Sequence, residues 1–190
     1  MGEAEPIYPF ISVEEYLLQE RASDHRHEFR DGVVEAMSGA SKNHNVITLN
    51  LAAALHAHLK GTPCTVYHES LQLHIQADQT ERYYYPDVMV DCEQSSNAYA
   101  TQTPRILVEV LSPSTMHKDL FTKLAIYKQI QSVEEIIIIS QERLSVQVYR
   151  RSNDWKLEPL TSIADVLALR SIDFTLTLPD LYDGVTCPDL

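Results

Sequence analysis

The run Ile106-Leu107-Val108-Glu109-Val110-Leu111, followed by Ser112-Pro113-Ser114-Thr115, decides how the rest of the chain is read. Its apolar residues do not alternate with polar ones, which is the pattern of a strand covered on both faces, so it predicts the middle of a sheet with layers on either side. A carboxylate inside such a strand costs several kcal/mol unless it is neutral, paired or metal-bound. Glu109 is therefore either a metal ligand or the partner of a Lys or Arg on a neighbouring helix. Upstream, Tyr85-Pro86-Asp87-Val88-Met89-Val90-Asp91 predicts a second extended segment, with Pro86 at its head where no ladder donor is needed. Asp87 and Glu109, on neighbouring strands of one sheet, can converge on a hard divalent cation such as Mg²⁺, which takes oxygen ligands and keeps several waters. A Pro-Asp turn capping the strand is the other reading of Asp87.

Downstream of Glu109, Pro113-Ser114-Thr115 opens a helix to about Gln131, with Leu120, Leu124 and Tyr127 on one stripe. Lys123 stands four positions after Asp119. That spacing suits a solvated ion pair worth a few tenths of a kcal/mol. It also suits a lysine carried back to the strand end, where an ammonium stabilises a pentavalent phosphate or positions water. Towards the N-terminus, Ser12-Val13-Glu14-Glu15 has the form of a capping box for a short helix. Asp31-Gly32 predicts a tight hairpin between strands 25–30 and 33–38. Glu28 lies in that first strand and reads by periodicity as a surface position. A helix over 41–59 ends at Gly61, and His44 near its start reads as a solvated cap residue or a phosphate contact.

Residues 65–75 read as one half-buried strand with Glu69 as the odd member on its apolar side, followed by a polar turn over 77–82 and a loop over 95–104. Strands over 136–139, 144–150 and 155–160 follow, with 163–190 laid loosely over the sheet. Residues 1–190 thus form one α/β domain around a mixed central sheet.

The 190 residues carry 15 Lys and Arg against 27 Asp and Glu, a formal charge of −12, which argues against gripping a polyanion by bulk charge. No run is long and apolar enough to span a bilayer, and the N-terminus lacks an export signal, so a cytoplasmic protein is expected. Cys64, Cys92 and Cys187 are odd in number and far apart, and are expected to form neither a disulfide framework nor a zinc site. His56 and His58 lie two apart and face different ways, which argues against zinc hydrolysis. No nucleophile elbow, phosphate-cradling glycine loop or dinucleotide fingerprint is present.

The strings His27-Glu28-Phe29-Arg30-Asp31-Gly32-Val33-Val34-Glu35-Ala36-Met37-Ser38, Asn43-His44, Tyr85-Pro86-Asp87-Val88-Met89-Val90 and Leu107-Val108-Glu109-Val110-Leu111-Ser112-Pro113-Ser114-Thr115, with Asp119, Lys123 and Tyr127 downstream, together resemble the Uma-type endonuclease family. That family is similar to the PD-(D/E)xK restriction-endonuclease superfamily. The resemblance implies a restriction-endonuclease-like three-layer core, a mixed central sheet flanked by helices, with an N-terminal helix and hairpin. It implies that Asp87 and Glu109 hold Mg²⁺ or Mn²⁺ with the carbonyl of Val110, and that Glu28 orients water or a second ion. Leu111 stands where the superfamily carries its lysine, and Lys123 is the substitute. The function implied is metal-dependent cleavage of DNA. The alternatives are a catalytically silent binding or assembly protein with the same fold, or a hydrolase of short phosphodiesters. Against the acidic balance, Arg26, Arg30, Lys42, Lys118 and Lys123 are expected to line one cleft, and a homodimer would make that cleft two-sided.

Overall fold

The computed structural model describes residues 10–37, 39–77, 80–93, 95–111 and 118–186. Helix α1 (Val13–Ala22) leads into a hairpin of β1 (His27–Arg30) and β2 (Val33–Ala36). Ser12 Oγ caps α1 by accepting from Glu15 N at 3.1 Å, but the Glu15 carboxylate takes Gln19 Nε2 instead of reaching back, so only half of the capping box is made. Asp31 and Gly32 adopt φ of 49° and 91°, the positive values that let two residues reverse the chain between twisted strands. Helix α2 (Lys42–Leu59) is capped by Ser41 Oγ, which accepts from His44 N, and Gly61 with φ of 81° turns the chain away beyond its end.

Six further strands follow: β3 (Thr65–His68), β4 (Gln72–Ala77), β5 (Thr80–Tyr84), β6 (Val88–Asp91), β7 (Ala100–Thr101) and β8 (Pro104–Leu111). After α3 (Lys118–Tyr127) come β9 (Glu135–Ser140), β10 (Val146–Arg150) and β11 (Leu157–Leu160). The chain then forms the pair β12 (Val166–Leu169) and β13 (Phe174–Thr177) and a short α4 (Leu178–Leu181). The central sheet runs β11-β10-β9-β8-β6-β3 and is mixed, because β8 lies parallel to β9 and antiparallel to β6. A second sheet runs β2-β1-β5-β4-β7.

Strand β8 sits inside the central sheet, as its unbroken apolar run requires. Its side chains alternate across the sheet. Ile106, Val108 and Val110 join Ile47, Leu51 and Leu55 of α2 in one core. Leu107 joins Leu124 and Tyr127 of α3 with Leu73, Ile75 and Tyr84 of the second sheet in the other. Glu109 shares the parity of Leu107 and so faces α3. A third cluster of Tyr16, Phe29 and Tyr83 fastens α1 to the hairpin. Full burial of a large apolar side chain is worth about 1.5–3 kcal/mol, so these layers rather than local propensity hold the elements in place.

Four expectations are corrected. The stretch 65–75 is two strands in different sheets. It breaks at Glu69, whose φ of 50° turns the chain, so the misfit in the alternation marked a bend and not a buried acid. The turn over 77–82 is shorter than expected, since Thr80–Tyr84 pairs with β4 as β5, and the 95–104 loop contains β7. The tail is not loosely laid: Leu167, Leu169, Leu178 and Leu181 are 0% exposed and belong to the α2 core. Finally, Cys64 and Cys92 are joined in a disulfide. The antiparallel register of β3 and β6 sets Thr65 opposite Asp91, which brings the residue before β3, Cys64, and the residue after β6, Cys92, face to face. That pairing overturns the expectation that the cysteines stay apart; Cys187 lies outside the described residues. No helix among the described residues is long and apolar enough to cross a membrane.

Candidate active site

Asp87 stands at the head of β6, where that strand stops pairing with β8 while β8 runs on. Its Oδ2 accepts Val110 N at 2.6 Å, so the carboxylate continues the ladder that the shorter strand leaves off. Its Oδ1 lies 3.1 Å from His44 Nε2 in the first turn of α2. Two strand positions therefore bring Asp87 and Glu109 to one end of the sheet, with α2 contributing from one side and α3 from the other.

Glu109 Oε1 accepts the Tyr127 hydroxyl at 2.6 Å and lies 3.7 Å from Lys123 Nζ. Lys123 Nζ donates to Glu28 Oε1 at 2.8 Å, and the same oxygen accepts Tyr85 N at 3.1 Å. Asp87, Glu109 and Lys123 are each 9% exposed, so these are buried ionisable groups and not a solvated face. The surface reading of Glu28 and the solvated reading of Lys123 are both set aside by this pairing. The side chain of Asp119 lies outside the described residues.

Electrostatics follow from that crowding. Burial, and then the charges of Asp87 and Glu28, push the Glu109 carboxyl up to about 8 from an ordinary 4.5, although Lys123 and the Tyr127 hydroxyl pull the other way. Burial, with the charge of Glu109 next, raises the Tyr127 hydroxyl well above its usual value. For His44, burial alone would lower the value. The hydrogen bond and charge of Asp87, helped by Glu69 and Glu109, outweigh it and raise it above 6.5. His44 Nδ1 and the Tyr84 hydroxyl are buried without a hydrogen-bond partner among the described residues.

Sequence reasoning brought Glu28, Asp87, Glu109 and Lys123 forward, and all are gathered here. It left His44 undecided and took Tyr127 as part of an apolar stripe. The available signal for Tyr127 was its place four residues after Lys123, on the same helix face, with a hydroxyl that a core position does not need. Tyr84, whose ring lies 5.3 Å from Lys123 Nζ, was visible only as one of three consecutive tyrosines. Of the basic residues expected to line one cleft, Lys123 stands at this site. Arg30 pairs with Glu35 at 3.2 Å on the hairpin, Arg26 lies over the Tyr85 ring, and Lys42 begins α2. The side chain of Lys118 lies outside the described residues.

The donor set fits a hard divalent cation. Asp87 and Glu109 offer carboxylate oxygens, and Val110, whose N–H faces Asp87, has its carbonyl on the same edge of the strand. Burial first, with Asp87 and Glu28 adding to it, disfavours the ionised Glu109, and a cation beside it would offset that cost. Among the described residues no group of three or more His, Cys, Asp or Glu is placed to hold a metal ion, so Asp87 and Glu109 would act as a pair, with water filling the remaining positions as Mg²⁺ prefers.

An α/β core of this topology, with paired acids at the end of its central strands and a lysine from the next helix, defines a nuclease-like fold. Over residues 13–179 the chain matches the Uma2 family, described as "Putative restriction endonuclease", and it belongs to that family. An uncharacterised Synechocystis protein, slr1290, is 33% identical over 183 residues, covering 94% of each chain. A second from the same organism, sll1609, is 31% identical over 156 residues, 79% of this chain and 87% of its own. The crystal structure of "a putative nuclease belonging to DUF820" from Anabaena variabilis superposes with a TM-score of 0.76 at 17% identity, covering 93% of this chain and 99% of that one, and so shares the fold.

Proposed function

We propose that this chain is a Mg²⁺- or Mn²⁺-dependent endonuclease that hydrolyses phosphodiesters of DNA. The observation that carries the reading is the buried meeting of Asp87, Glu109, Lys123 and Glu28 at one end of the central sheet. A divalent cation held by Asp87, Glu109 and the Val110 carbonyl would lower the pKa of water and offset charge developing on phosphate.

The chain's own residues prepare that site. The Val110 N–H and His44 fix the rotamer of Asp87, so its orientation is set before any ligand arrives. Glu109 keeps its proton to about pH 8 and would have to release it to hold a cation, so binding would tighten as pH rises. Lys123 supplies the ammonium that Leu111 cannot. Held by Glu28 at 2.8 Å, it is positioned to steady a phosphate oxygen or the attacking water. Glu28, fastened by Tyr85 N, orients that lysine and accepts from water. DNA contact is local in a chain of charge −12, and two copies would present two such sites to one duplex.

The test is calorimetric titration of Mg²⁺ and Mn²⁺ into wild type and the Asp87→Ala/Glu109→Ala double variant, followed by cleavage assays on the same samples. Binding and cleavage in the wild type, both lost in a folded double variant, are expected. Cleavage that persists in the variant sinks the site. Absence of cation binding by the wild type, even with DNA present, favours the silent nuclease-fold alternative.

A further inference from the structure

A cleft of about 410 Å³ opens beside the acidic site, between α1, the second sheet and the 95–99 loop. Its volume falls within the range of sites that take small molecules or single residues of a polymer. Tyr83, Tyr85, Tyr99 and Arg21 line it, and Arg26 adjoins it through two lining residues, Tyr85 and Ser70. Tyr99 is 68% exposed, far more than an aromatic ring in a folded core, and the Arg21 guanidinium lies 5.7 Å from its ring centroid. The Arg26 guanidinium lies 5.9 Å from the ring of Tyr85 and donates to Ser70 Oγ at 3.1 Å.

Neither arginine is in an ion pair among the described residues, whereas Arg30, Arg82, Arg150 and Arg170 all meet carboxylates. In an acidic chain, two arginines left to aromatic rings at one cleft are the local positive charge that bulk composition denies. The carboxylate in the cleft, Glu20, is occupied: it accepts the Tyr85 hydroxyl at 2.8 Å and His27 N at 3.0 Å. Asn97 uses its Oδ1 to accept Tyr99 N, which leaves its amide nitrogen facing no partner among the described residues.

The cleft and the acidic site share two walls. Tyr85 lines the cleft with its ring while its backbone N holds Glu28. Ser70 lines the cleft, and the preceding Glu69 donates its backbone N to the Asp87 carbonyl at 3.2 Å. The cleft and the acids are thus joined through Tyr85 on one side and through Glu69 and Ser70 on the other.

We propose that this cleft binds one strand of DNA with an unpaired base stacked on Tyr99, its backbone phosphates met by Arg21 and Arg26, so that the next phosphodiester lies at Asp87 and Glu109. Flat aromatic faces beside guanidinium groups form a platform that any base can stack on, and a base reaches an exposed ring only when it has left its duplex stack. The Asn97 amide offers a donor to the edge of that base. The assignment rests on the endonuclease reading and names its substrate class: DNA with unpaired nucleotides.

The experiment is fluorescence anisotropy of a short labelled single-stranded deoxyoligonucleotide and of its blunt duplex, with full-length protein in chelator at low salt. The single strand is expected to bind more tightly than the duplex. Tyr99→Ala is expected to weaken it about tenfold or more, while Tyr99→Phe keeps the affinity. Arg21→Gln and Arg26→Gln each flatten the salt dependence. Equal or better binding of duplex, no binding of single strand, or undiminished affinity in Tyr99→Ala would overturn the proposal. Should that variant fail to fold by circular dichroism, the two arginine variants decide through the salt slope. Mg²⁺ added to the same samples separates the two readings. Expected binding without cleavage refutes the endonuclease alone, and duplex cleavage indifferent to Tyr99 refutes the cleft alone.

Discussion

Glu109→Gln should make the metal-free protein more stable, and increasingly so as pH rises. In the unfolded chain this carboxyl ionises near 4.5; in the fold it holds its proton to about 8, chiefly because burial disfavours the charge. The folded state therefore binds the proton more tightly. The resulting stability is fully present below about 4.5 and is lost as pH climbs through about 8. At about 1.4 kcal/mol per pH unit, the loss is roughly 3 kcal/mol at pH 7 and about 4 kcal/mol at pH 8. Glutamine keeps an acceptor for the Tyr127 hydroxyl and carries no titrating proton. Urea unfolding of both proteins in chelator between about pH 5 and pH 8 reads the effect, because groups away from Glu109 titrate alike in the two. The curves should nearly meet at the acid end and part steadily towards the alkaline end. Parallel curves would refute the reasoning, since Glu109 would then ionise normally inside the fold. Mg²⁺ should rescue the wild type at the alkaline end and leave the variant unmoved.

Lys123→Gln removes the ammonium paired with the largely buried Glu28 carboxylate and should cost about 3 kcal/mol by urea unfolding, with turnover lost and calorimetric Mg²⁺ binding largely kept. Tyr127→Phe removes a hydroxyl that favours ionised Glu109, so it should cost about 1–2 kcal/mol and move the pH dependence of stability upwards. A downward move would show that the hydroxyl serves the neutral acid. Reduction of Cys64–Cys92, which spans a sequence separation of 28, should lower stability by roughly 3 kcal/mol, read as a drop in thermal midpoint with reductant that the Cys64→Ser/Cys92→Ser variant no longer shows.

The central strand was legible because burial on both faces leaves a contiguous record in sequence: 106–111 is apolar, and the acid within it has no local excuse. Asp87 was legible through its proline and the apolar residues after it. Lys123 was found by asking what could answer Glu109, although the sequence could not distinguish its burial from a solvated Asp119 pair. Long-range geometry left weaker traces. Glu69 broke an alternation, but only its positive φ tells a bend from a misplaced charge. The disulfide depends on the register of two strands separated by another sheet's hairpin, which spacing does not encode. The tail was underestimated because its buried residues are spread over a hairpin and a one-turn helix, too short for either periodicity to show. Tyr127 shows the same limit at the site, since its ring satisfies the core pattern and its hydroxyl does the rest.

The two rims of the central sheet are finished differently from its middle. On one side β3 has four residues and is pinned at its start by the sulfur bridge to the neighbouring strand. On the other, β11 carries Pro159, which withholds a backbone donor from any strand approaching from outside. Short, tethered or donor-poor borders discourage edge-to-edge growth. Self-association that extended this sheet from one subunit into the next is therefore disfavoured at both borders. Two molecules working on one duplex would have to meet through helix or loop surfaces, leaving each sheet a closed unit and the spacing between their cutting centres to be set by side chains rather than by a shared ladder.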